Sequence, residues 1–255
     1  MTKKSYAKVN IFLKIAGKRG DYHELVSRFV RVKNQFDTIS FMQADVKEFT
    51  LEGKFGCETK KNTIYKAYLK LSELSDEVEK YFFTHKVVVD KNIPEFAGLG
   101  GGSSNCATFM IMVNEVCNLE LSKDELSSIG ATIGADVPFF IYEYDSANVT
   151  GIGEIVTPFD EESLEIVTFT PNIECNTGLI FQAFRKNHYQ EVSKELTLKL
   201  LNMKSKDIYK ELSICEANDL YKPALEIYNN LTPSFHNLSK NSYFSGSGSS
   251  FFNII

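Results

Sequence analysis

The most constraining feature of this chain is a glycine-rich run at residues 93–105, which joins a short apolar segment to a long one. Four of the five residues from 98 to 102 are glycine, so the backbone can adopt positive φ and approach a bulky group closely. Ser103, Ser104 and Asn105 are residue types that cap helices, and the apolar residues after them predict a buried helix. Because the N-terminus of a helix attracts anions, the sequence predicts a strand, an anion-binding loop and a helix in succession.

This run matches neither of the two common nucleotide-binding motifs. A P-loop has lysine directly before serine or threonine, whereas Gly102 precedes Ser103 here. The dinucleotide-binding pattern would need glycine at position 103. Glycine also gathers at crowded strand-to-helix turns, so the run alone leaves an anion site and a purely structural turn both open.

Composition narrows the choice of partners. A length of 255 residues allows one large domain or two modest ones. A net charge of −5 argues against nucleic acid as the main partner, since proteins that follow phosphate backbones carry basic surfaces. No apolar run approaches the roughly 20 residues of a membrane span, and no apolar signal core opens the chain, so we expect a cytoplasmic protein. The five cysteines and four histidines lack metal-ligand spacing, so we expect reduced thiols and no histidine-based metal site.

The first strand is predicted by alternation. Apolar side chains occupy every second position of residues 7–15, which predicts one core-facing side. The opposite side carries Lys8 and Asn10 next to each other. Further elements are predicted in chain order: strands at 29–32 and 37–42, a helix capped by Asn62 and Thr63, a strand at 86–90, and a helix opened by a capping box at 122–125.

The second half of the chain has the same mixed character. Residues 134–141 predict a turn followed by a strand, with Asp136 in the turn. Beyond residue 160 the pattern predicts a strand at 164–170, a helix near 179–185, and a closing turn and strand at 243–252. Mixed elements without repeats indicate an α+β fold. We expect two domains, at residues 1–158 and 159–255.

Several motifs together resemble those of the GHMP kinase superfamily. They are A-K-V-N at residues 7–10, Y-H-E-L at 22–25, A-G-L-G-G-G-S-S-N at 97–105, G-A-D-V-P-F-F at 134–140, and glycine turns at 151–153 and 246–250. Within the superfamily they are most similar to the branch that phosphorylates a cytidine diphosphate-linked methylerythritol. The motifs keep the order of that branch, densely up to Glu154 and more thinly beyond it.

The resemblance implies a two-domain GHMP kinase fold, with a ribosomal-protein-like N-terminal α/β domain, a ferredoxin-like C-terminal domain and the active site between them. It also implies transfer of the ATP γ-phosphoryl group to the 2-hydroxyl of the methylerythritol part, in non-mevalonate isoprenoid precursor synthesis. ATP with Mg²⁺ is then expected as the phosphoryl donor. The ligands of the metal stay open.

Two residues are implied as catalytic. Lys8 matches the lysine of the first motif and would place positive charge beside the attacked hydroxyl. The alternative is a solvated lysine on an exposed strand face. Asp136 matches the catalytic aspartate and would accept the hydroxyl proton. The alternative is a turn aspartate that caps its own backbone.

The resemblance also implies residues for the cytidine diphosphate part of the substrate. Asn10, Tyr22 and His23 match positions that contact this part, and Thr177 and Phe181 match a segment on the other side of the cytosine. An aromatic ring can stack on the base, while an imidazole or amide can bond its edge. For Phe181, a place in the core of a helix is an equally good interpretation.

For ATP, the implied positions are Asn62 and Lys91 near the adenine and, around the phosphates, Pro94, Ala97, Gly98, Leu99, Gly100, Gly101, Gly102, Ser103 and Ser104. Ser103 or Ser104 would lie near the triphosphate and its Mg²⁺. The motif at 246–250 would face the site, although a hairpin turn has a similar sequence.

Two other functions remain open from the sequence. One is a related kinase for homoserine, mevalonate or a sugar, against which Asn10, Tyr22 and His23 count. The other is a catalytically silent nucleotide-binding protein, against which Lys8 and Asp136 count. In each case we expect small-molecule partners, no nucleic acid or membrane, and a monomer or weak homodimer.

Overall fold

The computed structural model describes residues 1–20, 22–236, 238–239 and 241–255, and at Arg19, Tyr22 and His236 it describes the backbone alone. The strands in this part of the chain are β1 Thr2–Arg19, β2 Tyr22–Gln43, β3 Leu51–Gly53, β4 His85–Asp90, β5 Ser146–Thr150, β6 Ile155–Pro158, β7 Ile166–Phe169, β8 Tyr243–Phe244 and β9 Phe251–Ile254. Strands and helices alternate irregularly, as the predicted α+β class requires.

The α-helices of the described residues are α1 Thr63–Ser72, α2 Asp76–Phe82, α3 Gly101–Val116, α4 Lys123–Ala131, α5 Val137–Tyr142, α6 Thr177–Ala183, α7 Lys194–Asn202, α8 Ser205–Glu211, α9 Ile214–Ala217 and α10 Tyr221–Ile227. A π-helical turn, Phe184–His188, follows α6. None of the described helices has both the length and the apolar composition of a membrane span.

The chain packs as two compact units, each built from three stretches of sequence. The first unit holds residues 1–7, 35–93 and 101–143, and the second holds residues 8–34, 94–100 and 144–255. Strands β1 and β2 therefore contribute residues to both units. A sequential domain boundary near residue 158 stays a prediction.

In the first unit, β4 pairs antiparallel with the second half of β2, from Thr38 opposite Asp90 to Gln43 opposite His85. Strand β3 joins the other edge of β4 in parallel. The helices α1, α3 and α5 pack in sequence, with α4 against α5. The rings of Phe41, Phe82 and Phe109 lie 5.1 to 5.6 Å apart and fill the core of this unit.

In the second unit, β5 pairs antiparallel with the first half of β2 and with β6. A separate three-stranded antiparallel sheet has the order β7-β9-β8. Its core joins the end of β1 to α6, α10 and the sheet, through the buried residues Leu13, Ile15, Cys175, Ile180, Phe184, Leu220, Tyr221, Ala224, Leu231, Phe244 and Phe251.

A fully buried arginine ties β2 to the end of α7 in the second unit. Arg28 has no exposed surface, and its guanidinium donates to the carbonyls of Leu200, Leu201 and Met203. Its Nε also donates to Oδ1 of Asn148 over 2.6 Å. These carbonyls lack partners within the helix, so the arginine satisfies the helix end while its own charge is neutralised.

Local sequence signals predicted several elements correctly. The Asn62 side chain accepts a hydrogen bond from the Ile64 amide and opens α1. Ser122 and Glu125 form the expected capping box of α4. Strand β1 is longer than predicted, and every residue from 7 to 13 is buried, so its polar side is not exposed.

Three expectations were wrong. The two separate strands at 29–32 and 37–42 are one strand, β2, of 22 residues. Residues 137–142 form helix α5 and not a strand, and Pro138 is suited to the first turn of this helix. A continuous buried apolar run shows neither helical nor strand periodicity, so the sequence pattern could not distinguish the two. Helix α3 begins at Gly101, so Ser103, Ser104 and Asn105 lie within its first turns and do not cap it.

Replacing Arg28 by methionine would remove the guanidinium donors from the end of α7 and leave the buried carboxylate of Glu161, 3.8 Å away, without this cation. We expect Arg28→Met to lower the free energy of unfolding by about 3 to 5 kcal/mol, measured by urea denaturation. Lys33→Met is the control, because the exposed Lys33–Asp145 pair contributes at most about 1 kcal/mol. Equal losses in the two variants would contradict a structural role for Arg28.

Candidate active site

The buried polar side of β1 carries Lys8 and Asn10. Nζ of Lys8 donates to Oδ1 of Asn10 over 2.8 Å and lies 4.5 Å from the ring centre of Phe29. The Asn10 amide donates to Ser27, whose hydroxyl donates to the Phe12 carbonyl. Lys8 as a residue is only 3% exposed, so the interpretation of Lys8 as a solvated surface lysine is wrong. A buried, oriented ammonium can stabilise negative charge that develops on a substrate.

The glycine-rich run is held by its carbonyl groups. The Ala97 carbonyl accepts from the Ser250 amide, the Gly98 carbonyl from the Ser245 hydroxyl, and the Leu99 carbonyl from the Lys8 amide, over 2.9 to 3.1 Å. Three successive carbonyls thus bind to protein donors. The loop that follows Pro94 is fixed by the strand of Lys8 and by the serine-glycine segment near residue 250.

Gly98 makes this close approach possible. Its φ is +73°, and a Cβ built on it would lie 2.0 Å from the Ser245 carbonyl oxygen. A Cβ on Gly246 would lie 3.2 Å from the Gly98 carbonyl oxygen and 3.5 Å from Oδ1 of Asn10. The two glycine motifs and the Lys8–Asn10 pair therefore occupy one small region of the second unit.

Asn218 anchors the serine-glycine segment from behind. Its buried amide donates to the carbonyls of Phe244 and Gly246, each over 2.9 Å, and its Oδ1 accepts from the Leu220 amide. Asn218 also forms a bridge with Leu13 of β1. One side chain thus fixes the register between β1 and the segment that contacts Gly98.

His23 lies in an aromatic cluster near the start of β2. Its ring stacks on Phe181, with centroids 5.2 Å apart, and meets the edge of Phe184. Nε2 of His23 is buried and has no hydrogen-bond partner among the described residues. Burial, and then the positive charges of Arg185 and Lys18, lower the pKa of His23, so the imidazole is neutral at physiological pH.

An unpartnered buried nitrogen is unfavourable, and it marks a place where a ligand can supply the missing hydrogen bond. Phe181 is half-buried on α6, where it packs on the core and also covers one face of His23. Thr177, at the start of the same helix, shares a 2.7 Å hydrogen bond with Ser247. The predicted contact of the Tyr22 side chain lies outside the described residues.

The first unit holds Asp136 at the start of α5. Its carboxylate makes no capping hydrogen bond to this helix. The turn before it lies against α3, since a Cβ built on Gly134 would be 3.6 Å from the Ser103 hydroxyl. The structure thus brings the Asp136 turn to the first turn of α3, where Gly101 and Gly102 begin the helix.

The predicted adenine-site side chains are both bound to protein groups. Nζ of Lys91 donates to Asp37 over 2.5 Å and to Asn105 over 3.0 Å, while Asn62 caps α1. Next to the cap, the Thr63 hydroxyl donates to the Gly102 carbonyl, so α1 and α3 begin side by side. Ser104, one residue further along, shares a buried hydrogen bond with Ser5.

Sequence reasoning missed Ser27, Asp37 and Asn218. Asp37 was detectable, because it shares the side of β2 that carries Ile39 and Phe41, and a carboxylate on a core-facing side must be paired. Ser27 and Asn218 carry no such signal, since each acts through carbonyl groups distant in the sequence.

Comparisons with known proteins define the class. Residues 62–144 match the N-terminal domain of GHMP kinases. The crystal structure of a 4-(cytidine 5'-diphospho)-2C-methyl-D-erythritol kinase aligns with a TM-score of 0.74 at 27% identity, over 100% of this chain and 90% of that one. The structure of Methanococcus jannaschii mevalonate kinase aligns with a TM-score of 0.60 at 14% identity, over 100% of this chain and 90% of that one. At this identity the likeness supports the fold alone. The predicted GHMP kinase fold is confirmed.

Full-length relatives narrow the class further. A 4-diphosphocytidyl-2-C-methyl-D-erythritol kinase of Sulfurimonas denitrificans is 51% identical over 98% of this chain and 96% of its own length. One from Helicobacter acinonychis is 40% identical, over 98% and 94%. This chain belongs to the family of 4-diphosphocytidyl-2-C-methyl-D-erythritol kinases.

The Gly98 contact generates a stability prediction. We expect Gly98→Ala to lower the free energy of unfolding by about 3 kcal/mol, from the steric overlap with Ser245 and the cost of positive φ. Gly17→Ala is the control, because a Cβ there meets its nearest atom at 3.7 Å. Urea denaturation measures both variants. A loss below about 1 kcal/mol in Gly98→Ala would show that the loop can move away from Ser245 at little cost in free energy.

Proposed function

We propose that this chain transfers the γ-phosphoryl group of ATP to the 2-hydroxyl of 4-diphosphocytidyl-2-C-methyl-D-erythritol, in non-mevalonate isoprenoid precursor synthesis. Its relatives are named as kinases of this compound. The structural observation that carries the proposal for the acceptor is the buried Nε2 of His23, which lies beside the Phe181 ring and has no hydrogen-bond partner among the described residues. A cytosine offers a ring to stack and polar edge atoms to bond.

ATP would bind the glycine-rich run and the first turn of α3. The carbonyls of residues 97 to 99 bind protein donors, so the amides of the loop are the backbone groups that can face an anion. The first amides of α3 have no carbonyl partner within the helix. Together with the helix dipole, these amides favour the triphosphate.

Magnesium fits the residues present. Mg²⁺ prefers oxygen ligands and in kinases is held largely by the substrate phosphates. The described residues contain no group of three or more His, Cys, Asp or Glu side chains that could hold a metal ion, which suits an ion that arrives with the nucleotide. We propose the Ser103 hydroxyl as its protein donor. When bound, the ion neutralises charge on the β- and γ-phosphates.

The transfer needs a base and a cation. We propose that the Asp136 carboxylate accepts the proton of the 2-hydroxyl as its oxygen bonds to the γ-phosphorus, while the bond to the leaving ADP oxygen breaks. Lys8 would stabilise the negative charge on the reacting oxygens. Support for Lys8 comes from its burial and its orientation by Asn10. Support for Asp136 comes from its motif and from its place at the start of α5, where the preceding turn lies against the first turn of α3.

Cytidine would be recognised beside the His23–Phe181 pair. A neutral imidazole offers one donor and one acceptor, and Nε2 has no hydrogen-bond partner in the part of the chain that the structure describes. Thr177 and Asn10 are proposed as further substrate contacts, and Tyr22 is proposed as a second stacking ring. We further propose that the kinase acts in the cytoplasm as a monomer or weak homodimer, on small molecules alone.

The test is a coupled assay of ADP formation with Mg²⁺ and ATP. We expect turnover of the cytidylyl compound, and a loss of at least about a thousandfold in kcat for Asp136→Asn with little change in either KM. The exposed Asp76→Asn variant, at the start of α2, should match the unaltered protein.

Two results would contradict this proposal. Turnover of homoserine or mevalonate, with none of the cytidylyl compound, would make the acceptor assignment wrong. Near-normal kcat in a folded Asp136→Asn variant would reduce Asp136 to a scaffolding role.

His23 generates a prediction about pH. Its lowered pKa keeps the imidazole neutral above about 6.5, so the proton is taken up only as the pH falls below that value. We expect the KM for the cytidylyl compound to be constant from pH 8 to 6.5 and to rise below pH 6.5, while the KM for ATP does not follow it. His23→Gln should have a higher KM without this rise, and His85→Gln should keep it. A rise that persists in His23→Gln would exclude His23 as its source.

A further inference from the structure

We propose that Asp37 is a positioning residue that fixes both ends of the phosphate-binding loop, residues 94–104, and so prepares it for ATP. The inference rests on the proposed binding of ATP at this loop. Asp37 lies on β2 and has no exposed surface. It belongs to none of the motifs that identify the family.

The first end of the loop is held by one carboxylate oxygen. Oδ1 of Asp37 accepts from the backbone amides of Asn92 and Ile93, over 2.7 and 2.8 Å. These two residues directly precede Pro94, where the loop begins. Two charge-assisted hydrogen bonds to adjacent amides fix the direction in which the chain enters the loop.

The second end is held by the other oxygen. Oδ2 of Asp37 accepts a hydrogen bond from the side-chain amide of Asn105 over 2.8 Å. Asn105 directly follows the loop and lies within α3. The same Asn105 amide donates to Ser5 of β1 over 2.9 Å. The side chain of Asn105 is therefore fully oriented, and the start of α3 is tied to two strands.

Lys91 neutralises this arrangement. Its ammonium donates to Oδ2 of Asp37 and to Oδ1 of Asn105, and its side chain is 7% exposed. A Cβ built on Gly101 would lie 2.9 Å from Ile93, so the two ends of the loop also touch directly. Asp37 thus receives four hydrogen bonds, and the groups on both flanks of the loop share one buried carboxylate.

Fixing both ends of the loop is expected to strengthen the binding of ATP and to leave the binding of the phosphoryl acceptor unchanged. A loop whose two ends are fixed loses less conformational entropy when its amides gather around a phosphate. Releasing one end would make ATP supply that ordering, which weakens nucleotide binding. The groups proposed for cytidine, including His23 and Phe181, make none of these contacts.

The experiment compares two variants with two matched controls. Asp37→Asn keeps the acceptor for Asn92 and Ile93 but turns a donor toward Lys91 and Asn105. Asn105→Ala releases only the α3 end and keeps the Asp37–Lys91 pair, so it tests the proposal even where Asp37→Asn does not fold. The controls are Asp90→Asn and Asn92→Ala, whose exposed side chains share only a 3.4 Å hydrogen bond.

We expect the KM for ATP, and the Kd of a non-hydrolysable ATP analogue by calorimetry, to rise about tenfold in Asp37→Asn and about fivefold in Asn105→Ala. The KM for the cytidylyl compound should stay within twofold, and both controls should match the unaltered protein. A merely structural role would lower the folded fraction and the apparent kcat without moving either KM.

Unchanged ATP affinity in folded Asn105→Ala would overturn the positioning role. An unaltered protein that fails to bind or consume ATP would instead overturn the proposed function, so the two failures are distinguishable.

Discussion

The fold depends on one constraint: a charge that leaves water must find partners inside the protein. Arg28 is fully buried and reaches carbonyls at the end of α7. Asp37 is fully buried and accepts hydrogen bonds from two backbone amides at the start of the glycine-rich run. Regular strands and helix interiors have no spare backbone groups, so the backbone partners of these two charges come from a helix end and a loop. Arg28 and Asp37 therefore each hold an irregular segment in place.

The same constraint shapes the region around Lys8. Its ammonium sits in a strand whose two sides are both covered, and Asn10 is the polar side chain next along the same side. Asn10 is oriented in turn by Ser27. Because Lys8 donates to Asn10 and Asn10 donates to Ser27, the ammonium is oriented before any substrate arrives. Such preorganisation is what electrostatic stabilisation of a phosphoryl transfer requires.

Short-range signals explain what could be predicted from sequence. The caps at Asn62 and Ser122 involve partners two or three residues away, and alternation predicted the existence of β1. Helix α5 was wrongly predicted as a strand. Five of its six residues are buried, so the hydrophobic periodicity did not distinguish helix from strand, and the aromatic residues favoured a strand. Lys8 and Asp136 were singled out through motifs, and their catalytic roles stay predictions. The partners of Asn218 lie 26 and 28 residues away, and no local pattern marks such a contact.

The hydrogen bond from Ser245 to the Gly98 carbonyl spans 147 positions of the chain. Contacts of such long sequence separation form slowly during folding, because the intervening chain must first be brought together. The glycine-rich run therefore cannot take its final shape while the nascent chain is still being synthesised up to Ser245. A chain cut short before this segment would keep much of its first unit yet lack an ordered glycine-rich run, and on the proposed placement of ATP it would bind nucleotide poorly.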